Sequence, residues 1–238
     1  MEKNHKILLI IPAYNEEKSI ATTVANILTT PYDYIVVNDG STDQTDKILK
    51  QNNYNHIKLL NNLGIGGAVQ TGYIYAHENN YDIAVQFDAD GQHDINYIDK
   101  LIQPIKKNQA NLIIGSCFID RTLKNQRSSK IRRFGIYFLS NVIKFFSGKR
   151  IHDPTSGFRA ADKKVIEVFA NNYPQEYPEP ISNFELLKFS NLKIKEVPVK
   201  MKKREAGHSS IRSWKSVYAA INVFLSILIL SLGRKKHD

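Results

Sequence analysis

The chain has 238 residues, 42% of them hydrophobic and 24% charged, enough for one domain with a large core. Its one cysteine, Cys117, excludes an internal disulfide framework and a cysteine zinc site, and suits a reducing compartment. The net charge of +10 is divided unevenly: residues 1–99 hold 6 Lys/Arg against 13 Asp/Glu, and residues 100–238 hold 27 against 10.

The elements are expected to run as follows. Residues 6–11 form a short apolar run, read as a buried strand that Pro12 ends. Lys3 and Lys6 flank too short an apolar run for a signal peptide, so none is expected. Asn15 or Glu16 opens a helix whose apolar face is Ile20, Val24, Ile27 and Leu28. Residues 34–37 form a second strand, and Asn38-Asp39-Gly40-Ser41-Thr42-Asp43 is the turn that caps the helix carrying Ile48 and Leu49.

A third strand covers residues 56–60. Asn62-Leu63-Gly64-Ile65-Gly66-Gly67-Ala68 then leads into a helix through Tyr75. Val69 stands where the third glycine of a dinucleotide turn belongs, and no Gly-Lys-Ser/Thr follows. The run is therefore read as a tight strand-to-helix turn. Residues 82–87 make a fourth strand, 95–107 a helix and 111–115 a fifth strand. This alternation predicts an α/β fold, with a mostly parallel sheet covered by helices on both faces and ligands beyond the strand ends.

After Gly115 the pattern changes. Residues 130–146 read as a basic, aromatic amphipathic helix. Asp153-Pro154-Thr155-Ser156-Gly157-Phe158-Arg159 and Tyr177-Pro178-Glu179-Pro180 read as loops, and residues 194–199 as a strand. The basic half lacks zinc-finger spacing and the aromatic-plus-arginine pattern of a single-strand binder, so an anionic membrane surface is expected rather than nucleic acid.

The chemistry gathers at Phe87-Asp88-Ala89-Asp90-Gly91-Gln92, where an apolar strand ends in two carboxylates one residue apart. Extended chain places Asp88 and Asp90 on one side, where they repel each other. A divalent cation relieves that repulsion, and hard oxygen ligands suit Mg²⁺ or Mn²⁺. The plainer reading is a polar Asp-Gly turn.

Seven stretches, in one order, resemble the family two inverting glycosyltransferases of GT-A fold, within them the dolichyl- and polyprenyl-phosphate sugar synthases. They are Ile11-Pro-Ala-Tyr-Asn-Glu-Glu17, Val37-Asn-Asp-Gly-Ser-Thr-Asp43, Asn62-Leu-Gly-Ile-Gly-Gly-Ala68, Phe87-Asp-Ala-Asp-Gly-Gln92, Asp153-Pro-Thr-Ser-Gly-Phe-Arg159, Tyr177-Pro-Glu-Pro180 and Arg204…Gly207…Ser209. The resemblance implies a nucleotide-diphosphosugar donor bound by Pro12, Tyr14, Glu16, Asp39, Gly67, Asp88, Ala89 and Asp90, with Asp39 on the base. It implies a cation on Asp88 and Asp90, and Asp90, Gln92 and Asp153 as the catalytic set. It implies a lipid-phosphate acceptor held by Arg159, Arg204 and Ser209. The same resemblance divides residues 1–211 into a donor half, 1–116, and an acceptor half, 117–211.

Glu16 and Asp43 have a helix-capping reading beside the functional one. Where the family commonly carries Arg, two residues after the glycine of the fifth strand, this chain has Cys117, with Arg121 as a neighbouring substitute. Three other readings fit parts of the chain. A sugar-hydroxyl acceptor would need Asp153 or Asp94 as base. A phosphohydrolase of the Asp-x-Asp type usually has Thr or Val after the pair, where Gly91 stands here. A non-catalytic membrane scaffold would not need the donor motifs.

Residues 216–233 are uncharged and mostly apolar, at the lower limit for a membrane span, with Arg212 and Lys215 before and Arg234, Lys235 and Lys236 after. Basic flanks on both sides oppose a single span and favour a helix lying in the cytoplasmic interface. Residues 212–238 are therefore expected as a membrane-associating helix with a basic tail, and the protein as peripheral on the inner face of the membrane. A homo-oligomer or a small membrane-protein partner is the further expectation for such a helix.

Overall fold

The computed structural model describes residues 5–120, 130–201 and 213–233. Its strands are β1 (Ile7–Ala13), β2 (Asp33–Asn38), β3 (His56–Lys58), β4 (Ile83–Gln86), β5 (Leu112–Ser116), β6 (Arg159–Asp162) and β7 (Ile194–Pro198). They form a single sheet in the order β3-β2-β1-β4-β6-β5-β7. Every pairing is parallel except those of β6, which runs antiparallel to both β4 and β5. The helices are α1 (Ile20–Ile27), α2 (Thr45–Gln51), α3 (Gly64–Glu78), α4 (Ile98–Lys106), α5 (Lys130–Ser147), α6 (Lys163–Asn171), α7 (Pro178–Phe189) and α8 (Ser213–Gly233).

Both faces of the sheet are covered, as the all-buried β1 requires. Alternation along β1 sends Leu9 and Ile11 into a core with α1 and α4, through Ile20, Val24, Leu101 and Ile102. Leu8 and Ile10 enter the opposite core with α3 and α6, through Val69, Tyr73, Val165 and Phe169. The GT-A architecture expected from the sequence is thus present. The sheet crosses the expected division at residue 116, because β6 and β7 flank β5.

Pro12 lies within β1 rather than ending it. The carbonyl of Ile10 accepts from Phe87 N–H on the β4 side, and that of Ala13 from Asp39 N–H on the β2 side. Pro12 therefore faces the β4 side, where the ladder has already stopped at Ile10–Gln86. Its missing N–H costs nothing there. β1 and β4 separate beyond this point, at the reversal of strand order where open α/β sheets bind ligands.

Two expected loops turn out to hold regular structure. Arg159 opens β6, whose Arg-Ala-Ala-Asp sequence has little strand propensity and is held by its two neighbours. Pro178-Glu179-Pro180 forms the first turn of α7, where proline lacks only an N–H that no helix uses. Tyr177 precedes it with a left-handed φ of 48°.

The third apolar cluster joins α5, α7 and α8 through Leu139, Val142, Ile143, Phe184, Val223 and Ile227. α8 thus packs one face on the protein. Its other face exposes Tyr218, Ile221, Leu225, Ile229 (67%) and Leu232 (79%), and α5 adds Phe134, Tyr137 and Phe145. Among the described residues, no helix is long and apolar enough to cross a membrane.

α3 crosses the chain before α7 so closely that a Cβ on Gly66 would lie 2.3 Å from the Gln175 carbonyl oxygen and 2.4 Å from that of Pro174. Backbone cannot move aside as a side chain can. Gly66→Ala is expected to cost about 1–3 kcal/mol or more by overpacking. Gly135→Ala in α5, where nothing lies within 4 Å, is expected to gain roughly 0.5–1 kcal/mol. Opposite shifts of the two denaturation midpoints check this.

Candidate active site

A cavity of about 740 Å³ opens beyond the C-terminal ends of the parallel strands. Its walls follow the sheet order. Asp39 comes after β2, Pro12 through Glu16 at and after the end of β1, Gln86, Asp88, Ala89 and Asp90 at and after the end of β4, and Thr155 and Gly157 before β6. Asn62, Gly64, Ile65 and Ala68 close the β2 end, and Glu179 of α7 the β6 end. Five carboxylates, Glu16, Asp39, Asp88, Asp90 and Glu179, line it, and no Lys or Arg does among the described residues.

The loop after β1 is pinned to the loop after β2. Asn15, at a left-handed φ of 55°, accepts at Oδ1 from Thr42 N–H at 2.8 Å, and its own N–H donates to Ser41 Oγ at 3.0 Å. Asp43 serves this join, accepting from Thr45 N–H and from Glu17 N–H. Glu16 accepts from Ser19 Oγ at 2.6 Å while lining the cavity. Asp39 is buried and accepts from Leu63 N–H at 2.7 Å. Burial pushes its carboxyl pKa up, against the amides of Leu63 and Gly64, which favour the anion. Pro12, Tyr14 and Ala89 also lie on the wall. Gly67 does not: it is buried inside α3 against Leu63.

Asp90 is 7% exposed and accepts from Gln92 N–H at 3.0 Å. Asp88 is held from below by His93. The backbone N–H of Asp88 donates to His93 Nδ1 at 2.9 Å, which fixes the proton of the neutral ring on Nε2. That Nε2 lies 3.4 Å from Asp88 Oδ2. Burial lowers the pKa of His93 to about 4, with Asp90 opposing, so the ring is neutral at pH 7. The ring stacks on Phe158 at 4.5 Å between centroids.

Asp88 and Asp90 fit a hard divalent cation as far as their own chemistry goes, but no cluster of three or more His, Cys, Asp or Glu converges among the described residues. Such an ion would need the phosphates of its ligand to fill its shell.

Several expected residues stand elsewhere. Arg159 is 0% exposed, so it presents no fork to a phosphate. Its guanidinium donates to Ser182 Oγ at 3.1 Å, to Asn183 Oδ1 at 3.4 Å and to Tyr173 Oη. Asp153 is buried off the cavity wall, accepting from Cys117 N–H and donating its own N–H to Glu196. Asp94 caps the 3-10 turn Ile95–Tyr97. Gln92 is off the wall. Arg121, Arg204 and Ser209 lie outside the described residues. Gln86, Thr155, Gly157, Glu179 and His93 have no individual role in the motifs. A glutamine closing an apolar strand and a glutamate between two prolines were the available signals.

The profile of glycosyl transferase family 2 matches residues 8–169. The chain is 36% identical to the UDP-N-acetylglucosamine–dolichyl-phosphate N-acetylglucosaminyltransferase of Methanococcus voltae, over 96% of this chain and 97% of the other. It is 27% identical to the undecaprenyl-phosphate mannosyltransferase of Micrococcus luteus, over 92% of each. Its fold matches glucosyl-3-phosphoglycerate synthase of Mycobacterium tuberculosis, a structure with Mn²⁺, UDP and phosphoglyceric acid. That match has a TM-score of 0.67 at 17% identity and covers 98% of this chain and 81% of that one. With a profile matched over most of its length and a relative aligned over nearly all of both chains, the chain belongs to glycosyl transferase family 2 and is a glycosyltransferase.

Proposed function

We propose that the chain transfers a sugar, with inversion, from a nucleotide-diphosphosugar to a polyprenyl phosphate, using a divalent cation at an inner membrane surface. The observation that carries the donor is the cavity wall, lined by five carboxylates and, among the described residues, by no Lys or Arg. A diphosphate is repelled by such a wall unless it arrives with a divalent ion. The polyprenyl-phosphate acceptor is supported by the Methanococcus and Micrococcus relatives, both named for a lipid-phosphate acceptor.

Asp39 accepts from an imide N–H, as uracil and guanine have and adenine lacks. Asp88 and Asp90 hold the cation, Mg²⁺ or Mn²⁺, which when bound offsets the charge of the nucleoside diphosphate leaving group. His93 keeps Asp88 in place by accepting from its backbone N–H. An acceptor phosphate oxygen attacks the sugar C1 from the face opposite the diphosphate, and the C1–O bond to the diphosphate breaks. A phosphate monoester is already largely a dianion at neutral pH, so no general base is needed. Asp153 and Asp94 are consistent with that, since each accepts from a backbone N–H, that of Cys117 and that of Asn96. Arg204 and Ser209 remain the proposed phosphate contacts; buried Arg159 acts from behind the wall.

The second reading is a sugar-hydroxyl acceptor, and what favours it is Glu179, a carboxylate on the cavity wall where a base would be needed.

Membrane attachment is proposed through the exposed faces of α5 and α8, whose apolar side chains adjoin basic ones such as Arg133 and Lys144. Truncation would uncover the cluster beneath Val223 and Ile227, so the cleaner test is on the outer face. Ile229→Glu is expected to abolish sedimentation with anionic phospholipid vesicles while leaving the unfolding midpoint unchanged. Retained sedimentation would place attachment elsewhere.

For the metal, chelation of wild type is expected to stop turnover reversibly, and Asp90→Asn to lose at least about two orders of magnitude in kcat while staying folded. Full activity in either case would remove the cation from the mechanism.

A further inference from the structure

The wall beyond Asp88 is built differently from the rest of the cavity. Sheet order puts the base-facing Asp39 at one end, Asp88 and Asp90 in the middle, and Thr155, Gly157 and Glu179 at the other. A ligand with its base at Asp39 and its diphosphate at the carboxylate pair has only its sugar left to meet that far end. Gly157 closes on it tightly: a Cβ there would lie 2.9 Å from Gln86 Nε2 and 3.4 Å from both Asp88 oxygens.

Gln86 is buried at the end of an otherwise apolar strand. Its Nε2 faces Glu179 Oε1 at 3.5 Å, which orients the amide. Its Oε1 has no protein partner among the described residues. Arg159 is the cross-strand neighbour of Gln86, and its Nε likewise lacks a partner. Tyr73 Oη is the third such atom, beside Tyr173, which Arg159 holds. Unsatisfied polar atoms of this kind are rare in folded proteins, and three of them gather behind one wall. Arg159 also fixes α7 through Ser182 and Asn183, and the Ser182 hydroxyl donates to the Glu179 carbonyl at 3.1 Å. The first turn of α7, and Glu179 with it, is thereby set against β4.

We propose that Glu179, oriented by Gln86 and backed by Arg159, accepts hydrogen bonds from the hydroxyl or amide N–H groups of the donor sugar and so selects which nucleotide sugar is used. This rests on the donor reading given above. A carboxylate and an amide oxygen are acceptors only, which suits a sugar rich in donors. They repel a phosphate, so this wall does not serve the lipid head group. A site built to hydrogen-bond a substrate group discriminates strongly against analogues that misplace it.

The test compares wild type with Glu179→Gln, using calorimetry with Mn²⁺ and whichever of UDP or GDP wild type binds. Steady-state kinetics follow, on the glucose, mannose and N-acetylglucosamine conjugates of that nucleotide, with a polyprenyl phosphate acceptor. The expected result is a nucleotide Kd within about twofold of wild type, a donor KM raised about tenfold or more, and an altered order of kcat/KM among the sugars. Unchanged KM and order overturn the inference. So does loss of nucleotide binding in a folded variant, which would make Glu179 a support of the whole cavity. A collapse of kcat at unchanged KM would make Glu179 the base of the hydroxyl reading instead. Wild type that binds neither nucleotide fails the donor reading itself, a result separate from all of these. Gln86→Met, close in shape and without the amide, carries the same comparison if Glu179→Gln does not fold.

Discussion

The antiparallel pairing of β6 with β4 is the constraint on which the site depends. A parallel strand there would deliver its C-terminal end to the cavity. The reversed strand delivers its N-terminal end, and the residues before it. The Gln86–Arg159 register then sets Gly157 against Asp88 and slides Phe158 under His93. The acidic stretch after β4 and the later Ser156-Gly157-Phe158-Arg159 stretch, some seventy residues apart in the chain, are thus halves of one structure. Removing the ring of Phe158 would loosen the imidazole that anchors the Asp88 backbone, without touching either carboxylate.

The same pairing explains a buried cation. An arginine inside a protein is costly unless its donors are met. Arg159 meets two of its nitrogens with Ser182, Asn183 and Tyr173, and Glu179 stands nearby as the opposite charge. The cavity therefore combines an acidic surface with a positive charge sealed behind it. Burial is the main influence raising the carboxyl pKa of Glu179, and Arg159 is the first of those opposing it. The acidity of the first 99 residues and the basicity of the rest are consistent with this division. The acidic part supplies four of the five wall carboxylates.

Much of this was legible from residues alone. Apolar runs at strand length and 3.6-residue periodicity placed the first five strands and the helices between them, because each buries a face that nothing else in the chain could cover. The Asp-x-Asp pair was legible because its position at a strand end has few structural uses. β6 was not legible: two alanines carry no strand signal, and the strand exists because β4 and β5 leave a gap of one strand's width between them. Pro178-Glu179-Pro180 reads as a break in any propensity scale, yet proline fits a first helical turn. Arg159 reads as a surface residue by type, and only the tertiary arrangement of Tyr173 and Asn183 reverses that. His93 gave no pattern at all, since what it does is satisfy one backbone N–H five residues away.

The contact between Gly66 and the backbone at 174–175 has a mechanical consequence. Residues 62–68, the entry and first turn of α3, close the β2 end of the cavity, and the chain at 174–175 runs directly into Tyr177 and Glu179 at the β6 end. With backbone seated on backbone and no side chain between, the two ends are clamped at a fixed span. The cavity then behaves as a calliper of set gauge rather than as a cleft with two independent lips.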